Sequence, residues 1–256
     1  MFSLPEPDPG PGPEIEPVEP QSPWSAADII AFVVFFIGVW LILPYSFIHL
    51  WQVFKPTMKV TDLTAVDQVL LQGVMNVVLV GFIALLIKRV HGKSFFETIH
   101  WNRNYDFRNT SLVGVGAMLA ISVLVVSSFF PPSSPPPLEQ LLSSTSAMYV
   151  FAVFGICVAP LFEEVIFRGF LFKVLSDMGG PVVAMATTAS LFAFLHVFQL
   201  WGSWAGIALI FVVGCILAFI RYRSNSLIPS FIVHTSYNAM LFSVFALGSF
   251  VEKSPK

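Results

Sequence analysis

The chain has 256 residues, 56% of them hydrophobic and only 11% charged, with a formal net charge of -2. A soluble domain carries roughly 25% charged residues, and there is no basic stripe for a nucleic acid to follow. This composition points away from a nucleic-acid partner and toward a multi-pass membrane protein.

Residues 1–24 are acidic and rich in proline, with no Lys or Arg and no apolar core. They read as a disordered tail rather than a secretory signal peptide. Residues 25–256 read as a transmembrane domain. Its apolar runs fall at about 26–50, 66–87, 112–130, 148–175, 181–200, 204–220 and 227–250. Each is near the ~20 residues needed to cross ~30 Å of hydrocarbon. The fourth is long and interrupted by Pro160, so splitting it or the first run would give an eighth span. Lipid supplies no hydrogen bonds and the runs lack barrel alternation, so they are helices. The expected fold is an all-α polytopic transmembrane bundle of about 7–8 spans. Basic residues Lys88, Arg89, Lys93, Arg103, Arg108, Arg221 and Arg223 put the second, fourth and sixth connections on the cytoplasmic side, along with the N-terminal tail. Cys157 and Cys215 lie in different runs and read as buried packing residues, not as a disulfide or metal thiolates.

Charge is scarce in these runs except in Glu163-Glu164-Val-Ile-Phe-Arg168. A charged group at the centre of a bilayer costs about 2.5–3.5 kcal/mol even on lenient scales, so such groups mark function by default. Glu164 and Arg168 stand at i,i+4 with the acid first, the better order for a helical ion pair. Glu163 points about 100° away and has no local partner, which leaves it free to act as a base. The bland alternative is a helix end at the interface with Arg168 and Lys173 snorkelling.

Gly179-Gly180-Pro181 signals a turn between the fourth and fifth runs. Glu163 and His196 are equally far from that turn along the chain. On ideal antiparallel helices both lie roughly 24 Å from it, at one depth. Phe192 precedes His196 by one turn. In the last run His234 and Asn238 share a face. They can donate two hydrogen bonds to a developing oxyanion, or help ligate a metal with His and Glu from other helices. No His-Glu-x-x-His or Gly-x-Ser-x-Gly pattern is present, which disfavours the common zinc and serine routes.

The three elements Glu163-Glu164-x-x-x-Arg168, Phe192-x-x-x-His196 and His234-x-x-x-Asn238 resemble the motif set of the CAAX-prenyl-protease and bacteriocin-processing (CPBP, or Abi) family of intramembrane endopeptidases. The resemblance covers about residues 148–245. It implies that Glu163 and His196 activate a water, that His234 and Asn238 stabilise the oxyanion, and that Glu164, Arg168 and Phe192 support the site. It leaves open a glutamate-type mechanism without cofactor or a metallo mechanism with zinc held by Glu163, His196 and His234. It further implies a peptide, prenylated or membrane-protein substrate, with bacteriocin maturation or immunity as roles of bacterial members. The expected location is the membrane of a prokaryotic cell. The competing readings are a transporter using the same groups as a proton relay and a non-catalytic immunity or scaffold protein. No internal repeat or pair of symmetrically broken helices favours the transporter.

Overall fold

The structure is a computed structural model and describes residues 24–57, 59, 62–134, 137 and 145–253. Most of the Pro-rich tail and most of the connection after residue 134 lie outside the described residues.

The first two long helices begin on reciprocal caps. α1 (Ala26–Phe54) starts at Ser25, whose N–H and hydroxyl both donate to Asp28 Oδ2, at 2.8 and 2.9 Å. α2 (Ala65–Leu86) starts at Thr64, whose Oγ1 accepts from Asp67 N–H at 3.2 Å while Asp67 Oδ2 takes the Thr64 N–H at 2.9 Å. Such capping boxes satisfy donors that the first helical turn leaves free. A short π-helical turn, π1 (Ile87–His91), ends α2 at Gly92, which takes a left-handed conformation. The short α3 (Phe95–Thr98) then leads to α4 (Asn109–Ser128).

The next crossing is broken into pieces. It runs through α5 (Thr145–Val153), π2 (Phe154–Val158), α6 (Ala159–Glu163) and π3 (Glu164–Leu171) into α7 (Phe172–Leu195). α8 (Trp204–Ser224) and α9 (Leu227–Lys253) complete the chain. Among the described residues six helical stretches are long and apolar enough to cross a membrane. One of them, Met148–Leu195, is 48 residues long, or roughly 72 Å at 1.5 Å per residue. That is far more than a bilayer needs. It folds back at Gly180, whose φ of 83° and ψ of 165° are not helical. Counting both arms gives seven crossings, within the expected seven to eight. The turn read at Gly179-Gly180-Pro181 is this fold-back. The fifth crossing ends at Leu195, earlier than the expected 200, because residues 196–202 form turns.

A core of Phe32, Leu79, Ile83, Ile87, Ile99, Phe167, Phe170, Phe192 and Leu227 joins α1, α2, π3, α7 and α9. Trp24, counted above with the tail, is buried and meets the Phe170 ring edge-on. Gly116 lets α4 lie directly on α9: a Cβ there would fall 2.5 Å from Val233 O and 2.9 Å from Tyr237 N. Close approach over a small residue is a common way for membrane helices to pack. Leu41, Leu70, Val77, Met118, Val182 and Phe219 face outward, where lipid covers them. Cys157 is also exposed rather than buried as expected; Cys215 is half-buried and both thiols are free.

The second and sixth connections meet on one side, as the count of basic residues expects. Leu227 N–H donates to His100 O at 3.0 Å, Asn102 Nδ2 to Asn225 O at 3.2 Å, and Ser226 Oγ to Asn102 O at 2.5 Å.

Candidate active site

Glu164 lies at the centre of the bundle, fully buried with Arg168. Its Oε1 accepts from Arg168 Nη1 at 3.0 Å and faces His234 Nδ1 at 3.0 Å. A carboxylate oxygen only accepts, so Nδ1 carries the proton of that bond. Arg168 sends Nη2 to Gly214 O of α8 at 3.2 Å, and its guanidinium lies 4.5 Å from the centre of the Phe192 ring. One arginine thus joins π3, α7 and α8. The stacking on Phe192 is a cation–π contact in a desolvated setting, where such contacts are strongest.

Glu163 behaves differently. Its side chain is 27% exposed against 0% for Glu164, and its Oε2 stands 3.6 Å from His234 Nε2. His234 therefore lies between two carboxylates, one at each ring nitrogen. The two acids project in different directions, as adjacent helical positions must.

His196 follows the last residue of α7. Its Nδ1 is 2.8 Å from Phe192 O. A carbonyl only accepts, so Nδ1 is the donor and the neutral ring presents a free lone pair at Nε2. The Phe192 ring touches His196 at 4.6 Å and His234 at 5.8 Å between centroids, joining the two histidines. Phe167 and Phe192 meet edge-on at 5.3 Å. They are one turn nearer the fold-back than Glu163 and His196 respectively, so the same antiparallel register carries Glu163 toward His196.

Asn238 stands one turn beyond His234 on α9. Its Nδ2 donates to Gly155 O in π2 at 2.7 Å. Arg221, read above only as an orientation charge, is buried, and its Nε donates to Arg168 O at 3.2 Å. No local pattern reveals that role, because its partner is 53 residues away.

The sequence leaves zinc on Glu163, His196 and His234 as one alternative. Among the described residues no three His, Cys, Asp or Glu side chains are gathered so that they could hold a metal ion.

Residues 145–240 match the family described as Rce1-like, type II CAAX prenyl endopeptidase. That segment is similar to CAAX prenyl endopeptidases. It contains all three motifs, and the family is the one they resemble. The match supports an intramembrane endopeptidase acting on a peptide or protein substrate. No curated protein and no solved structure matches the chain.

Proposed function

We propose that the protein hydrolyses a peptide bond of a membrane-associated or lipidated substrate with a water activated by Glu163 and His196. The observation that carries this reading is the division of the glutamate pair. Glu164 is buried and held by Arg168 and His234, whereas Glu163 is partly open beside the same histidine. A general base must reach its water, and a structural carboxylate must not compete with it.

The roles follow from the atoms. His196, pinned through Nδ1, accepts a hydrogen bond from the water at Nε2 without taking its proton. Glu163 takes the other proton as the water oxygen bonds to the substrate carbonyl carbon. The tetrahedral oxyanion needs a donor in a site of low dielectric. His234 and Asn238, one turn apart on α9, supply the donors. Glu163 finally returns its proton to the departing amine nitrogen as the C–N bond breaks. Glu164, Arg168 and Phe192 orient His234 and touch no reacting atom.

The test is cleavage of a panel of membrane-associated peptides, including a farnesylated CAAX peptide, by purified protein in detergent. Wild type should cleave at least one peptide and keep cleaving with EDTA present, while Glu163→Gln should not cleave. Activity that persists in Glu163→Gln overturns the assignment of the base. Loss with EDTA that zinc restores overturns the metal-free route.

A further inference from the structure

We propose that Gln72 and Asn76 of α2 form a substrate subsite: an acceptor and a donor that hold the backbone of an extended peptide about three residues from the bond that is cut. The inference rests on the peptidase reading above and names where that peptide lies.

Asn76 is 6% exposed, in the middle of a helix long and apolar enough to cross a membrane. A polar group there is costly unless it is paired. The hydroxyls of the spans pair within their own helix: Thr188 Oγ1 donates to Ala184 O at 2.8 Å and Ser236 Oγ to Ile232 O at 2.7 Å. Asn76 is only half provided for. Its Oδ1 accepts from Gln72 Nε2 at 3.2 Å. Among the described residues that is the one side-chain hydrogen bond either residue makes. The pair therefore presents the N–H groups of Asn76 Nδ2 and the acceptor Gln72 Oε1. A peptide unit offers the complement, one C=O and one N–H.

The pair faces the broken crossing. Gly73 approaches Phe154 of π2, where a Cβ would lie 3.8 Å from the ring, and Asn76 is one turn further along that side of α2. α2 also packs on α6, which ends in Glu163, and Leu79 and Ile83 share a core with Val165, Ile166 and Phe167. Asn238 donates to Gly155 O, next to Phe154, at 2.7 Å. The two helices that touch this turn, α2 and α9, thus bring amide side chains to one depth. α2 and the broken crossing are the second and fourth crossings and run in the same direction. Counting from the contact of Gly73 with Phe154 at 1.5 Å per residue, Glu163 lies roughly 9 Å deeper than Asn76. That is about three residues of extended chain at ~3.3 Å each.

Hydrolysis inside a membrane needs such contacts. An extended peptide that enters hydrocarbon leaves the water that bonded its N–H and C=O groups, and each group without a partner is costly. Fixed donors and acceptors beside the chain recover that loss, as in strand addition to a sheet edge. They also hold the scissile bond in register against Glu163. A contact of this kind exists before and during the reaction, so its removal weakens binding and leaves turnover nearly untouched.

The test uses the full chain in detergent: wild type, Gln72→Leu and Asn76→Leu, with the thermal midpoint checking each fold. The farnesylated CAAX peptide is N-methylated in turn at each backbone position, which removes one N–H at a time. Both variants should raise KM about fivefold with kcat little changed; either decides the matter if the other does not fold. N-methylation at one position should raise KM about as much in wild type and have no further effect in Gln72→Leu. Unchanged KM in the folded variants, a loss in kcat instead of KM, or an N-methyl effect equal in wild type and Gln72→Leu would overturn the inference and leave the pair as a contact between helices. If wild type cleaves no peptide, the peptidase reading fails by itself, and binding of a fluorescent farnesylated CAAX peptide to the same proteins decides the subsite. Binding about fivefold weaker in the variants upholds it, and equal binding or none overturns it.

Discussion

Carboxylates do opposite work in the two halves of this molecule. In α1 and α2, Asp28 and Asp67 bind the N–H and hydroxyl of a residue three positions earlier and stay within their own helix. In the broken crossing, Glu164 binds an arginine one turn on and a histidine 70 residues away. The Thr64–Asp67 cap is exposed to water. The Glu164 network sits where no water competes, so each member depends on the others. The regular helices are held by apolar packing and local caps, whereas the interrupted one is held by side chains that cross between helices. Regularity in this bundle marks the scaffold, and interruption marks the site.

If that contrast is right, removal of Arg168 should do the greatest damage. Arg168→Ala strands a buried carboxylate and should destabilise the protein by about 3–5 kcal/mol, read as a fall in the thermal midpoint. Glu164→Ala strands the arginine and should be comparable. Thr64→Ala removes an exposed cap and should cost only about 1 kcal/mol. Similar losses for Thr64→Ala and Arg168→Ala would erase the distinction between the halves.

The smallest expected effect concerns the joint between them, at His100. Burial holds its ring below the ordinary histidine value, and the nearby Arg221 and Lys173 charges act in the same direction, against the Asn225 backbone contact and Asp177. The unfolded chain therefore binds the proton more readily than the fold does. Stability from neutral His100 is complete above the ordinary value of about 6.5 and is lost as pH falls toward the lower folded value. His100→Asn, which tolerates the local φ of 56°, should flatten the decline in thermal midpoint on acidification below neutral pH. An unchanged decline would assign it to other groups.

Much of this arrangement is legible in the amino-acid sequence. Run lengths set the number of crossings, Gly179-Gly180-Pro181 marks the fold-back, and Glu164 with Arg168 announces a pair by spacing alone. The division between Glu163 and Glu164 follows from helical geometry. What is hidden depends on distant backbone. Asn238 looks like a donor aimed at a reacting centre because its motif partner is His234. Its observed acceptor is the Gly155 carbonyl, 83 residues away, and nothing in the sequence pairs those two positions. Arg221 is hidden for the same reason, since its acceptor is the main chain of Arg168. The metal alternative stays open in sequence because the residue types fit.

The most direct test compares Glu163→Gln with Glu164→Gln, scoring thermal stability in detergent and cleavage of the farnesylated CAAX peptide for each. The account predicts that Glu163→Gln melts like wild type and does not cleave, whereas Glu164→Gln melts at a distinctly lower temperature. Equal loss of stability in both variants, or cleavage by Glu163→Gln, would contradict the division of labour on which the proposed mechanism stands.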